Sequence, residues 1–134
     1  MRGFICAVLM GGILLKNNYV FTYGTLLKGE RNHHLINDDD FVSEGSIKNY
    51  RMFNLGTYPG IESGEGIVLG ELYLVDDNTL KMLDELEEEG FLYLRKTTTV
   101  YTRDTTIEAY IYVYNQKVIN PLYLGAGVYS WKNR

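Results

Sequence analysis

The 134-residue sequence has a single cysteine, two histidines and no excess of basic residues. One cysteine, Cys6, excludes an intramolecular disulfide, so we expect a protein of a reducing compartment, the cytoplasm. The formal net charge of −4 argues against nucleic acid as a partner, because nucleic-acid binding favours basic patches. His33 and His34 lack a third ligand at a suitable spacing, so no metal site is predicted, and no motif implies a cofactor.

The sequence also lacks an apolar run long enough to span a bilayer, which takes about 20 residues. Residues 3–15 are apolar and uncharged, and they resemble the core of a secretory signal, but no A-x-A-like cleavage site follows. We expect instead that residues 1–15 arise from a misassigned start site. Met10-Gly11-Gly12 can be encoded ATG-GGA-GG, similar to a bacterial ribosome-binding site, and Leu15 can be encoded by the start codon TTG. Residues 16–134 are then predicted to form a single domain with no membrane partner, and the oligomeric state stays open.

Strand-forming patterns dominate the rest of the chain, which has twelve tyrosines. Alternation predicts strands at residues 19–23 and 107–114. In the second, one face holds the aliphatic residues and the other holds Tyr110, Tyr112 and Tyr114. One or two strands are predicted over 41–53, and one each at 67–75 and 96–102. Three glycines and Pro59 predict a loop over residues 55–65.

One helix is well marked, from residue 79 to about residue 88. Asp76, Asp77 and Asn78 supply an N-cap before it, and Gly90 ends it. A shorter helix is predicted around residues 32–36. About six strands with bulky residues on both faces favour a closed or nearly closed sheet. The predicted fold is therefore α+β, a small mixed β-barrel with one flanking helix.

Glu87 is the strongest candidate for chemistry. It lies seven and four residues after Leu80 and Leu83, so a helix places all three on one face. A carboxylate on a core-facing stripe has a raised pKa because burial disfavours its charge, and such a group can transfer protons near neutral pH. The alternative is that the helix frays before Glu87 and leaves its side chain in solvent.

A second candidate site lies where the first strand ends, at Tyr23-Gly24-Thr25-Leu26. A glycine there allows a ligand to approach the backbone closely, and consecutive free amides can hold a carboxylate or an oxyanion. An ordinary strand-to-loop turn is the alternative. Tyr58 lies in a turn that can border the site, and Tyr114, at a strand end, is the tyrosine best placed to contact a substrate.

These features recur together, in order, in one known family. The chain closely resembles the γ-glutamylcyclotransferase-like (AIG2-like) family from about residue 19 to residue 114, and its opening motif is especially similar to γ-glutamylamine cyclotransferases. The motifs that carry the resemblance are Tyr23-Gly24-Thr25-Leu26, Gly29, Asn32-His33, Gly70-Glu71-Leu72-Tyr73, Leu83-Asp84-x-Leu86-Glu87 and Tyr93-x-Arg95. The family often has glycine after its catalytic glutamate, where this chain has Glu88 and Glu89.

The resemblance implies a small mixed barrel, a catalytic role for Glu87 and a substrate-cradling role for residues 23–26. It further implies a transferase or lyase that needs no cofactor. The α-amine of a γ-glutamyl amide attacks its own side-chain carbonyl, so that 5-oxoproline forms and an amine leaves. Two other interpretations stay open: a non-catalytic small-molecule binding module of the same fold, and a biosynthetic-pathway lyase that acts on another amide.

Overall fold

The computed structural model describes residues 15–134, which form mainly β-structure. Within that range the strands are β1 (Lys16–Thr22), β2 (Phe41–Asn54), β3 (Pro59–Asp76), β4 (Tyr93–Tyr101), β5 (Thr106–Tyr114), β6 (Leu122–Tyr123) and β7 (Val128–Tyr129). One α-helix, α1 (Asp77–Leu86), joins β3 to β4, and 3-10 turns cover His33–Leu35, Asp38–Asp40 and Trp131–Asn133. The predicted leader, except for Leu15, lies outside the described residues.

Five strands close into a ring in the order β2-β4-β5-β1-β3, because β3 also pairs with β2. The sheet is mixed: β1 runs parallel to β5, and the other pairs within the ring are antiparallel. The β1–β5 and β2–β4 pairings are short, the first being limited to Val20 with Tyr110. The prediction of a mixed sheet with one helix is confirmed, and barrel is an approximate term for a ring with two such short joins.

The two faces of the ring bury two separate cores, as the alternation in β5 predicts. Ala109, Ile111 and Val113 point into the first core, which Trp131 also enters. Tyr112 points into the second core, between the sheet and α1, with Leu80 and Leu83 of the helix. Burial of both faces explains why β5 carries bulky residues at every position from 110 to 114.

Two element boundaries differ from the prediction. Residues 59–65 belong to β3 rather than to a loop, and Gly60 and Gly64 lie opposite large side chains of β2. A Cβ at Gly60 would lie 2.8 Å from the ring of Phe53, so glycine here makes room for a cross-strand ring. Helix α1 begins at Asp77, capped by the Asp76 carboxylate on the amide of Thr79 at 2.7 Å, and ends at Leu86.

The helix ends because Glu88 adopts a left-handed conformation, with φ of 50°. Gly90 follows with φ of 93° and directs the chain towards β4. No helix among residues 15–134 has the length and hydropathy that a membrane span requires.

Candidate active site

A cleft opens where β1 ends, beside the C-terminal end of α1. Six of the sequence-predicted site residues line it together: Tyr23, Gly24, Thr25, Leu26, Tyr58 and Glu87. Because β1 and α1 both pack on β3 and β5, the fold brings the strand end and the helix end to one place although more than 60 residues separate them in sequence.

Glu87 forms the C-cap of α1 rather than part of its last turn. Its amide still bonds to the carbonyl of Leu83 at 2.9 Å, so the backbone continues the helical path for one residue and the side chain faces the cleft. Burial raises the pKa of the Glu87 carboxyl to about 7. Glu88 and Glu89 are exposed, so the negative charges that follow Glu87 lie outside the cleft. A carboxyl with this pKa can both accept and donate a proton at neutral pH.

Two of the tyrosines that line the cleft, Tyr23 and Tyr93, have hydroxyls held by backbone carbonyls. The hydroxyl of Tyr23 donates to the carbonyl of Tyr112 at 2.5 Å, and that of Tyr93 donates to the carbonyl of Pro59 at 2.6 Å. Burial, followed by the proximity of Tyr93 and Glu87, raises the pKa of Tyr23 well above its ordinary value. Both hydroxyls therefore stay neutral, and both donate to backbone rather than to Glu87.

The backbone of residues 24–26, called the anchor loop from here on, has unused donors. The amides of these three residues donate to no acceptor that the structure describes in residues 15–134. Buried or half-buried backbone N–H groups normally find partners. Adjacent N–H groups without partners, at the rim of a cleft, suit an anion or a developing oxyanion.

Gly24 is needed for packing as well as for the approach of a ligand to the backbone. A Cβ at Gly24 would lie 2.7 Å from Cγ of Pro59 and 2.8 Å from its Cδ, far inside contact distance. The absence of a side chain lets the anchor loop pack directly on the start of β3, which forms another wall of the cleft.

Tyr114 does not line the cleft itself. Its ring packs edge-on against that of Tyr93, with centroids 5.3 Å apart, so it supports a lining residue. Tyr93, Pro59 and Tyr112 line the cleft without having been predicted from pattern as site residues. Each has a weak sequence signal: Tyr93 belongs to the Tyr93-x-Arg95 motif, Pro59 follows Tyr58 in the turn expected to border the site, and Tyr112 lies on the tyrosine face of β5.

No group of three or more His, Cys, Asp or Glu side chains in residues 15–134 is arranged to hold a metal ion. His33 contacts the backbone of the anchor loop, and His34 contacts the carbonyl of Arg31. Arg95 of the Tyr93-x-Arg95 motif forms an ion pair with Asp84 of α1 at 2.6 Å.

The cleft therefore combines a carboxyl whose pKa is about 7 with unpaired backbone amides, a combination suited to acyl transfer or lactam formation. Comparison with known proteins agrees with this class. The sequence model of the family described as γ-glutamyl cyclotransferase, AIG2-like, matches residues 20–132. The chain belongs to that family, whose members include enzymes named γ-glutamyl cyclotransferases.

Individual relatives span most of the chain. The chain is 37% identical over 100 residues to the γ-glutamylcyclotransferase family protein YtfP of Escherichia coli K12, covering 74% of this chain and 84% of that protein. It is 40% identical over 81 residues to the γ-L-glutamyl-butirosin B γ-glutamyl cyclotransferase of Niallia circulans, covering 60% of this chain and 51% of that enzyme. A crystal structure of a mouse AIG2-like protein superposes with a TM-score of 0.65 at 26% identity, covering 72% of this chain and 76% of that one.

Proposed function

We propose that the protein is a γ-glutamylamine cyclotransferase, which releases 5-oxoproline and a free amine from a γ-glutamyl amide. The observation that carries the proposal is the shared cleft of Glu87 and the anchor loop. One side supplies a carboxyl with a pKa of about 7, and the other supplies unpaired amides. The names of the family and of its curated members support the same chemistry.

In this mechanism the anchor-loop amides hold the α-carboxylate of the glutamyl group or the oxyanion. Glu87, as carboxylate, takes a proton from the α-ammonium, and the free amine attacks the side-chain carbonyl to form the new C–N bond of the lactam. The tetrahedral intermediate then breaks its bond to the leaving nitrogen, to which Glu87 returns the proton. Lactam formation removes two protons from the α-nitrogen, and the leaving nitrogen gains two, so Glu87 transfers a second proton from the α-nitrogen to the leaving nitrogen in the same way and the amine departs as an ammonium ion.

The cleft contributes mainly by orientation. Ring closure requires the α-amine and the side-chain carbonyl to be held in one conformer, and such positioning supplies much of the rate of intramolecular reactions. Tyr23 and Tyr93 suit this task because both hydroxyls are already fixed to backbone carbonyls, which leaves the rings as rigid walls.

The test is a screen for 5-oxoproline release from a panel of γ-glutamyl amides, including γ-glutamyl-ε-lysine. Two matched compounds serve as controls. An α-glutamyl amide has its amide at the wrong carbonyl, and an N-acetyl-γ-glutamyl amide lacks the attacking amine. Release from some γ-glutamyl amides and from neither control supports the proposal. Binding of these amides without release by the wild-type protein would make it a non-catalytic binding module.

A second candidate is favoured by the similarity to the Niallia circulans enzyme, whose name specifies γ-L-glutamyl-butirosin B. On that interpretation the chemistry is unchanged, but the leaving amine belongs to a larger biosynthetic product. Including γ-L-glutamyl-butirosin B in the panel separates the two candidates, because a pathway lyase would prefer it to small γ-glutamyl amines by about tenfold or more in kcat/KM, a difference of about 1.4 kcal/mol. A cytoplasmic location, inferred from the single cysteine, stays a prediction.

A further inference from the structure

The three carbonyls of the anchor loop all accept hydrogen bonds, and this fixes the two peptides that carry the N–H groups of Thr25 and Leu26. The carbonyl of Gly24 accepts from the amide of Leu27 at 3.1 Å, and that of Thr25 accepts from the amide of Asn32 at 2.9 Å. The third carbonyl, that of Leu26, is held by a side chain, through Nδ1 of His33 at 2.9 Å. In a trans peptide the C=O and N–H groups point in opposite directions, so a carbonyl fixed towards the protein directs its N–H partner away from that contact.

A chain of hydrogen bonds connects His33 to one of the unpaired amides of the anchor loop. It fixes the peptide between Leu26 and Leu27 at its carbonyl end, and the N–H end of that peptide holds the carbonyl of Gly24. The peptide that begins with the Gly24 carbonyl ends at the N–H of Thr25, which is one of the unpaired amides. A turn of the Leu26–Leu27 peptide would break two hydrogen bonds and release the Gly24–Thr25 peptide.

The tautomer of His33 follows from its partners. A carbonyl oxygen only accepts hydrogen bonds, so Nδ1 of His33 must bear a proton to bond with Leu26. Nε2 lies 2.5 Å from Oδ1 of Asp38, which also accepts. The bond to Leu26, aided by the charge of Asp38 and opposed by partial burial, raises the pKa of His33. The neutral ring therefore keeps its bond to the anchor loop only as the Nδ1–H tautomer.

We propose that His33 is a positioning residue for substrate binding, which locks the anchor loop with its amides facing the cleft by donating Nδ1–H to the carbonyl of Leu26. The proposal rests on the proposed function, in which those amides hold the glutamyl group. It assigns His33 no contact with the substrate. The adjacent His34 bonds instead to the carbonyl of Arg31 and does not contact the anchor loop, so the two histidines differ in role.

Two substitutions of His33 distinguish the role of its Nδ1 from that of its Nε2. The amide nitrogen of asparagine occupies about the place of Nδ1, whereas that of glutamine occupies about the place of Nε2. His33→Gln is expected to raise KM for the γ-glutamyl amide on the order of tenfold, the effect of one hydrogen bond, with a much smaller change in kcat. His33→Asn is expected to restore KM to within about twofold of the wild-type value, and His34→Gln is the matched control with unchanged KM.

Equal KM values for His33→Asn and His33→Gln would overturn the proposal, whatever their melting temperatures. A measurement on the wild-type protein remains decisive if either variant fails to fold. Long-range ¹⁵N–¹H NMR spectra above the pKa of His33 should show the proton on Nδ1, and a neutral ring with its proton on Nε2 would refute the inference. Failure of the proposed function is distinguishable, because it appears as no 5-oxoproline release by the wild-type protein. In that case the role of His33 can still be tested in two ways. Calorimetry measures the affinities of the variants for L-glutamate, and NMR measures the tautomer of the wild-type ring.

Discussion

The hydroxyl of Tyr112 donates a hydrogen bond of 2.6 Å to the carboxylate of Asp84, one helical turn before Glu87. The other oxygen of Asp84 accepts from Arg95 at 2.6 Å. These two bonds fix the C-terminal end of α1 to β5 and β4, and Tyr112 itself lines the cleft. The position of the Glu87 carboxyl is therefore set by contacts made at a neighbouring residue.

Tyr112→Phe should loosen this attachment without emptying the core. We expect a loss of about 1 kcal/mol in the free energy of unfolding, since one hydrogen bond is removed and the aromatic ring stays. kcat should fall severalfold because the Glu87 carboxyl, which we propose transfers the proton, would be less well placed. Tyr110→Phe is the control: Tyr110 faces the same side of β5, and its hydroxyl has no hydrogen-bond partner within residues 15–134. Equal kinetic effects of both variants would contradict the role of the Tyr112 contact.

Gly24→Ala should damage both folding and function. The added Cβ would overlap the ring of Pro59 at 2.7 Å, so the anchor loop or β3 must shift, at a cost of about 1–3 kcal/mol. The shift moves the amides that are proposed to hold the substrate, so KM should rise with the loss of stability. Thermal denaturation and steady-state kinetics check both effects. Gly29→Ala is a useful comparison because nothing lies within 4 Å of a Cβ there, although its φ of 85° adds strain of its own.

The raised pKa of Glu87 predicts the pH dependence of activity. A general base must be deprotonated in the free enzyme, so kcat/KM should rise with pH up to about 7 and level off above it. An ordinary exposed glutamate would instead give a rise near its usual pKa of about 4.3. A profile that is flat between pH 5 and pH 8 would exclude Glu87 as the base.

The same pKa predicts a change in stability with pH. The folded protein binds the Glu87 proton more tightly than the unfolded chain, so this contribution to stability is fully present below about pH 4.5 and is lost as pH rises through about 7. Glu87→Gln removes the dependence. Relative to the wild type, the variant should therefore gain on the order of 1–3 kcal/mol in free energy of unfolding between pH 4.5 and pH 8. Urea denaturation at both pH values measures this difference, and a difference that does not vary with pH would contradict burial of the carboxyl.

The parts of the fold that follow local rules could be predicted from sequence. The alternation of β5 correctly indicates which side chains share a face, and the acidic residues before α1 include its true cap, Asp76. The start of β3 could not be predicted, because Gly60 and Pro59 indicate a loop by local rules. Their place in the strand depends on the ring of Phe53, which lies opposite Gly60.

In the candidate site, too, some residues could be predicted from local sequence and others could not. Glu87 and the anchor loop stand out locally, through helical spacing and a glycine at a strand end. Tyr93 and Tyr112 enter the cleft only because the ring of strands closes, and pairing between distant strands leaves no local signal. The support that His33 gives to the anchor loop is a contact of a side chain with a backbone carbonyl, which residue patterns do not specify.

The central claim is that Glu87 carries the proton in a lactam-forming reaction. The most direct test compares the release of 5-oxoproline by Glu87→Gln and Glu85→Gln, two substitutions of the same kind at neighbouring positions, of which Glu85 is exposed. The account predicts that Glu87→Gln folds and loses about 10²-fold or more of kcat, the scale of acid–base catalysis, while Glu85→Gln keeps wild-type turnover. Turnover by Glu87→Gln within a few fold of the wild type would contradict it.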